Sequence, residues 1–229
     1  MRLIPSTQKE KLDFLHSCQY FQGLDDATYA ILASGTTKTF YKRGEPLFWQ
    51  GDPCSGLFSL KEGRVKLFRI SPGGRELIIQ VFDQGQIFNE VPVFDDGPNP
   101  VNVSALLDSE AWVVSRNVVQ EAMLRNPTLM KHVIGQLSQH IRMMVKRVEE
   151  LSFYAVTNRL ARLIDRASPQ ELRGSSGIRM TQDEMAARLG TVREVVARSI
   201  KQLEKSGAIE THRGLIWISD EELLRDWTS

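Results

Sequence analysis

Apolar and polar residues follow two different patterns in the first half of this 229-residue chain. Residues 1 to about 35 have the spacing of amphipathic helices. From Thr36 to Ser115, short β-rich runs alternate with glycine turns, and residues 64–70 and 76–82 both alternate on either side of the turn SPGGR. Many short strands at this spacing predict a small antiparallel barrel or jelly roll that could enclose a pocket. The apolar anchors of the first segment are Leu12, Leu15, Tyr20, Phe21, Leu24, Tyr29 and Leu32.

A long helical pattern follows at residues 117 to about 152, with Pro127 marking a break near its start. Its apolar positions recur at alternating intervals of four and three residues, which is a strict heptad seam with charges on the flanks. Such a seam favours a parallel dimer, and the alternative is one helix packed on its own barrel. The seam ends near Phe153 to Thr157, which suggests a hinge. The seam residues are Met130, Ile134, Leu137, Ile141, Met144, Val148 and Leu151.

The stretch from Thr181 to Arg213 has the pattern of a winged helix-turn-helix. Gly190 can take the left-handed conformation that ends a first helix, and Ala186 is small enough for a close helix crossing. Capping boxes of the form T-x-x-E start at Thr181 and at Thr191 and predict where the two helices begin. Apolar residues at helical spacing complete the motif: Met185, Leu189, Val196, Ile200 and Leu203.

The start of the second helix carries Arg193, Glu194 and Arg198. Arginine pairs bidentately with the major-groove edge of guanine, and glutamate accepts a hydrogen bond from cytosine N4. These residue types at a helix start therefore predict base recognition in DNA. The alternatives are that Glu194 only caps its own helix and that the arginines form a solvated face.

Further DNA contacts are expected around this helix. Thr181 and Gln182 begin the first helix, while Lys201, Lys205 and Arg213 have the charge that phosphate contacts need. Residues 212–218 fit a wing hairpin, with an ordinary surface turn as the alternative.

Composition narrows the class of protein. The hydrophobic share of 41% and the charged share of 25% are ordinary for a globular protein, and the net charge of +1 requires DNA binding to rest on local clusters. Cys18 and Cys54 are too few for a disulfide framework. We find neither a signal-peptide pattern nor a segment of membrane-spanning length, and we expect a cytoplasmic protein.

Three segments carry a resemblance that extends over essentially the whole chain. They are GDPCSGLFSLKEGRVKLFRISPGGRELIIQVFDQGQIFNEVPVF, NPTLM and GTVREVVARSIKQLEKSGAI. The chain resembles the family of the cyclic AMP receptor protein and the fumarate and nitrate reduction regulator. The resemblance implies an α+β fold with an N-terminal β jelly roll of the cyclic-nucleotide-binding type in residues 1–116, a dimerisation helix in 117–153 and a winged helix-turn-helix in 154–229.

The same resemblance implies a homodimeric, non-enzymatic transcription regulator that binds a two-fold symmetric site in double-stranded DNA. Arg193, Glu194 and Arg198 match the R-E-x-x-x-R of the cyclic AMP receptor protein. Ala197 stands where the oxygen-sensing branch often has serine, so the expected half-site is nearer TGTGA than TTGAT. RNA polymerase is the implied protein partner, and the loop of residues 168–177 lies where the receptor protein has an activating surface.

The effector pocket departs from the family pattern. Glu90 is kept, but Asn89 replaces a glycine, and Pro100 and Val101 stand where an Arg-Ser pair would hold a cyclic phosphate. Proline has no donor and the guanidinium is gone, so the phosphate charge would be unpaired. Met144 and Val145 align with the two hydroxyl residues that face the purine. We therefore expect no control by cyclic AMP.

The cysteine and histidine content bears on the other effectors of the family. Two cysteines exclude the four-cysteine iron–sulfur cluster of the oxygen-sensing branch within one chain. No cofactor is the main expectation, with haem as the alternative and control through the Cys54 thiol or by abundance as others. A cupin-like enzyme needs a histidine cluster, which the barrel sequence lacks, and no metal site is predicted. The conceivable haem ligands are His16, His132, His140 and Met143.

Overall fold

The computed structural model describes residues 1–167, 172–173 and 176–228. The chain separates into two compact units. The first contains Met1–Arg69 and Ile79–Ile141, and the second contains Ile70–Ile78 and Arg142–Ser229.

Nine strands form two antiparallel sheets in the predicted β-roll. The strands are β1 (Arg2–Ile4), β2 (Thr36–Tyr41), β3 (Pro46–Phe48), β4 (Gly56–Glu62), β5 (Val65–Ile70), β6 (Glu76–Phe82), β7 (Ile87–Phe88), β8 (Asn102–Ala105) and β9 (Ser109–Ser115). One sheet has the order β1-β2-β9-β4-β7 and the other the order β3-β8-β5-β6. The predicted jelly-roll architecture is thereby confirmed.

Aromatic side chains fill the space between the two sheets. Phe58 stacks on Phe88 with ring centroids 5.2 Å apart, and Phe48 and Phe82 lie at 5.4 and 5.2 Å on either side of this pair. Tyr41 is buried in the same cluster. Alternation along each strand sends these rings inward, so the β-roll has a packed aromatic core.

Helices cover the outer face of the five-stranded sheet. They are α1 (Gln8–Ser17), α2 (Asp26–Ser34), the short α3 (Glu90–Phe94), α4 (Arg116–Arg125) and the long α5 (Pro127–Phe153), with a 3₁₀ turn at Gln19–Phe21. Their buried residues join Leu57 and Val114 of the sheet in one apolar cluster. The helices expected before residue 35 are present, but Arg2–Ile4 is a strand that pairs with the edge strand β2. A strand of three residues is too short to show an alternating pattern in the sequence.

The predicted long helix is two helices in the structure. α4 buries Val119 and Ala122, and a second helix, α5, begins at Pro127. Proline is tolerated there because the backbone N–H that it lacks would have no intrahelical partner in the first turn. The Asn126 side chain accepts from the backbone amides of Thr128 and Leu129 at 3.0 and 3.3 Å and so begins α5.

The second unit is built around α6 (Val156–Asp165), α7 (Gln182–Leu189) and α8 (Arg193–Lys205). A four-stranded sheet has the order β10-β11-β13-β12, with β10 (Leu172–Arg173), β11 (Ser176–Ile178), β12 (Ile209–His212) and β13 (Leu215–Ile218). The short α9 (Glu221–Asp226) ends the described chain. Only Tyr154 and Ala155 separate α5 from α6, in the middle of the segment expected to be a hinge.

Candidate nucleic-acid interface

The turn between α7 and α8 has the geometry expected of a helix-turn-helix. Gly190 lies at φ +64°, and its amide donates to the Ala186 carbonyl, as does the amide of Thr191. The Arg159 guanidinium on α6 donates to the Leu189 carbonyl at 2.8 Å. Carbonyls at the end of α7 are thus paired in a turn that brings α8 back across α7, with the small Ala186 buried at the crossing.

The helix starts confirm one predicted cap and correct the other. The Thr181 hydroxyl accepts from the Glu184 amide at 3.1 Å, while the Glu184 carboxylate accepts from Arg188 at 3.0 Å rather than completing a box. α8 begins at Arg193 with Val192 as its N-cap, and valine has no side-chain acceptor. The expected box between Thr191 and Glu194 was wrong, because the helix starts one residue later than the motif requires.

One face of the first turns of α8 is exposed to solvent. Arg193, Glu194, Arg198 and Lys201 are exposed, while the opposite face is buried. That buried face consists of Val196, Ser199, Ile200 and Leu203. The structure therefore brings the predicted base-contacting residues together on one solvent face.

Arg193 is held by the start of α7. Its Nε donates to the Gln182 side-chain oxygen at 3.3 Å, and its Nη1 lies 3.9 Å from an Asp183 carboxylate oxygen. Sequence reasoning missed Asp183, although two helix starts joined by a short turn could have indicated the contact.

The wing is a hairpin of β12 and β13. His212 pairs with Leu215, so the connecting residues are Arg213 and Gly214, at φ +50° and +77°. Positive φ at both central residues is characteristic of a type I′ turn, whose twist suits a hairpin. The predicted wing is present, and it places the exposed Arg213 at its tip.

An exposed apolar stripe runs along α5. Leu129 and Val133 turn into the core of the first unit, whereas the stripe residues lie on another face of the helix and only Leu137 packs partly against that core. The exposed members are Met130, Ile134, Ile141, Met144, Val148 and Leu151. Contiguous exposed apolar surface of this kind marks an interaction site.

Comparison with known proteins agrees with this geometry. The model of the cyclic nucleotide-binding domain matches residues 38–126, and the model of the Crp-like helix-turn-helix domain matches residues 158–227. The chain belongs to the CRP/FNR family of transcription regulators.

Relatives of this CRP/FNR-family chain match over most of their length. The cyclic AMP receptor protein of Thermus thermophilus is 28% identical over 90% of this chain and 94% of its own. A CRP-like cAMP-activated global transcriptional regulator of Mycobacterium tuberculosis is 26% identical over 89% and 93%. A solved CRP/FNR-family regulator from Eubacterium rectale has the same fold, with a TM-score of 0.78 at 18% identity over 90% and 95%. This chain is a transcription regulator with a helix-turn-helix DNA-binding domain and not an enzyme.

Glu90, which was expected in an effector pocket, contacts side chains of the helices. It is buried, accepts from the Tyr20 hydroxyl at 3.1 Å, and lies 3.6 Å from His140 Nδ1 on α5. Burial raises the pKa of Glu90 and also raises the pKa of Tyr20. Tyr20 was predicted only as an apolar anchor, because its contact with Glu90 joins residues 70 positions apart and leaves no local pattern.

Asn89, which stands where the resemblance implies a glycine, has a left-handed backbone conformation. It lies at φ +75°, where asparagine is among the better tolerated residues. Its amide donates to the Gly56 carbonyl at 3.0 Å and approaches Cys54 Sγ at 3.6 Å. Burial raises the pKa of the Cys54 thiol, and raises that of Cys18 to about 11, so both thiols are held in the less reactive form.

A cavity of about 200 Å³ lies at one end of the β-roll, lined by Thr37, Thr39, Tyr41, Phe58 and Val113 among others. Within the described part of the chain, neither Asn89 nor Glu90 lines it. The other two residues of the expected pocket, Met144 and Val145, are exposed on α5 in the second unit.

The histidines considered as haem ligands are engaged elsewhere. His132 Nδ1 lies 3.3 Å from the Tyr20 carbonyl, His140 faces Glu90, and His16 packs on Tyr29 with ring centroids 4.0 Å apart. Over the described residues, no group of three or more His, Cys, Asp or Glu side chains could hold a metal ion. The helices described here include none with the length and apolar character of a membrane span.

Proposed function

We propose that this regulator acts as a homodimer that binds a two-fold symmetric DNA site with TGTGA-like half-sites. One observation carries the proposal: the exposed first turns of α8 present Arg193, Glu194 and Arg198 together. Because Val192 is the N-cap, Glu194 is not used as a reciprocal cap and its carboxylate is available to a base.

Phosphate contacts position this helix. Lys201 and Arg213 are exposed on α8 and at the wing tip, and Thr181 is exposed at the start of α7. Contacts of this kind fix orientation on the duplex, while contacts to base edges carry the sequence information.

The apolar stripe of α5 supports pairing with a second copy. Burying such a face is the physical basis of a parallel coiled coil, in which each seam residue packs against its counterpart. Two-fold pairing then sets two copies of α8 in successive major grooves, about 34 Å apart.

The residues around Pro100 support DNA binding that does not require cyclic AMP. The relatives' names include cyclic AMP, but here Pro100 and Val101 replace the phosphate-binding pair, and Arg69 donates to the Pro100 carbonyl at 3.4 Å. The Glu90 carboxylate already accepts from the Tyr20 hydroxyl. A cyclic phosphate would lack the arginine and hydroxyl donors of the family pattern, which makes its desolvation costly.

RNA polymerase is the protein partner that the family suggests. The loop expected to contact it, residues 168–177, lies largely outside the described residues. The proposal for this partner rests on the resemblance alone.

Fluorescence anisotropy with an inverted-repeat TGTGA duplex tests the proposal without added cyclic AMP. We expect Arg193→Ala and Arg198→Ala to lower affinity for this duplex and to reduce discrimination by about 1–3 kcal/mol at the base pairs they contact. Lys201→Ala should weaken binding to all sequences alike and lower the salt dependence.

Unaltered affinity and discrimination in both arginine variants would contradict the assignment of α8. Binding that requires cyclic AMP, and that is lost with Arg69→Ala, would contradict the proposal on the effector. Selection of bound duplexes from a random pool would show a different half-site directly.

A further inference from the structure

The contact between the two helix starts has a specific geometry. Gln182 is the first residue of α7 and Arg193 the first of α8, and they are joined by the hydrogen bond from Nε to the Gln182 oxygen. Gln182 is half-buried, whereas the Arg193 side chain is 63% exposed. The glutamine is therefore the better fixed of the two side chains.

A guanidinium can offer guanine a pair of parallel donors along either of two edges. One edge presents Nη1 and Nη2, and the other presents Nε with one Nη. The bond to Gln182 occupies Nε, which leaves the terminal pair for bidentate contact with O6 and N7 of guanine.

We infer that Gln182 is a positioning residue for base recognition, which fixes the guanidinium of Arg193 so that its terminal edge meets guanine. This inference rests on the proposed function, in which Arg193 contacts a base. Orienting a long, exposed side chain before DNA arrives reduces the rotamer entropy lost on binding.

Asp183 has a different part in this arrangement. Its carboxylate lies 3.9 Å from Nη1, and both side chains are exposed, so the ion pair is weak and screened. Guanine can displace it without breaking the bond from Nε to Gln182. The structure thus separates a retained partner, Gln182, from an exchangeable one.

Positioning and direct contact differ in what they change. A glutamine that donated to phosphate would contribute equally on every sequence. A glutamine that orients Arg193 contributes only where Arg193 contacts guanine, so its removal lowers discrimination at that base pair and leaves non-specific affinity unchanged.

Gln182→Met and Gln182→Glu test this on the full chain. Methionine keeps the length and removes the acceptor, whereas glutamate keeps the acceptor and adds a charge. Anisotropy is measured on the TGTGA duplex and on duplexes with each guanine replaced in turn, at several salt concentrations. Arg193→Ala identifies the base pair that Arg193 contacts, and thermal unfolding checks that each variant is folded.

We expect Gln182→Met to lower discrimination at that base pair by about three- to tenfold, the scale of one hydrogen bond. Affinity for a duplex without the half-sites and the salt dependence should be unchanged, and adding Gln182→Met to Arg193→Ala should cause no further loss of discrimination. Gln182→Glu should retain discrimination while binding every duplex less tightly.

Three results would overturn the inference. Unchanged discrimination in Gln182→Met, while Arg193→Ala reduces it, would refute the positioning role alone. A uniform loss on all duplexes would identify Gln182 as a phosphate contact. Unchanged discrimination in Arg193→Ala would refute the base contact of Arg193, on which the inference rests, and the same result in Arg198→Ala would also refute the proposed function.

Discussion

Replacing Ile141 by alanine should weaken dimerisation without weakening the fold of one copy. Ile141 is 65% exposed on α5, and full burial of an isoleucine side chain contributes about 1.5–3 kcal/mol. The exposed share is therefore worth about 1–2 kcal/mol in each copy. Alanine keeps one methyl group, so we expect a loss of about 2–3 kcal/mol per dimer, a rise in Kd of about 30- to 150-fold.

Sedimentation velocity with fluorescence detection, over a wide range of concentrations, measures this Kd. Leu124→Ala is the matched control, because Leu124 is 83% exposed on α4 and lies outside the stripe. Alanine has the highest helix propensity, so neither variant should unfold its helix. An unchanged Kd in Ile141→Ala, or an equal rise in Leu124→Ala, would refute the assignment of the stripe.

Two further outcomes concern stability. Burial raises the pKa of Glu90 above its ordinary value of 4.5, so the folded chain binds the proton of the Glu90 carboxyl more tightly than the unfolded chain does. The protonated carboxyl therefore contributes to stability at low pH, and this contribution is lost as pH rises through the folded pKa. Glu90→Gln, which still faces Tyr20 and His140, should flatten that fall when urea unfolding is measured as a function of pH, and an unchanged slope would count against this reasoning. Gly190→Ala should cost about 1–2 kcal/mol, since Gly190 lies at φ +64°. Gly135→Ala, in the interior of α5, should instead stabilise the chain in the same thermal scans, and equal effects would contradict this reasoning.

Local patterns predicted the helix-turn-helix well, because its determinants are close in sequence. Gly190 marked the left-handed end of α7, and the apolar spacing placed the buried face of α8 correctly. The start of α8 was predicted one residue early, since a T-x-x-E motif does not show which backbone conformation precedes the helix. The strand at Arg2–Ile4 was missed because only its partner β2 makes it a strand.

Contacts between distant residues could not be predicted from spacing. Glu90 was assigned to an effector pocket by its place in a motif, but its partner Tyr20 lies on the helical side of the sheet. The aromatic filling of the β-roll depends likewise on four phenylalanines from four different strands. Motif position suggested what these residues could do, and packing determines what surrounds them.

Arg213 at the wing tip lowers folding stability through its backbone conformation, whereas its charge is proposed to raise the affinity for DNA. Its φ of +50° belongs to a turn that favours Asn, Asp or Gly, so an arginine there costs about 1 kcal/mol of folding free energy. Exchanging it for asparagine would make the hairpin more stable and the tip neutral. With the phosphate contact proposed for Arg213, a screen that selects only for heat resistance would favour variants that bind DNA less tightly, so thermostabilisation and gene control would conflict at the wing.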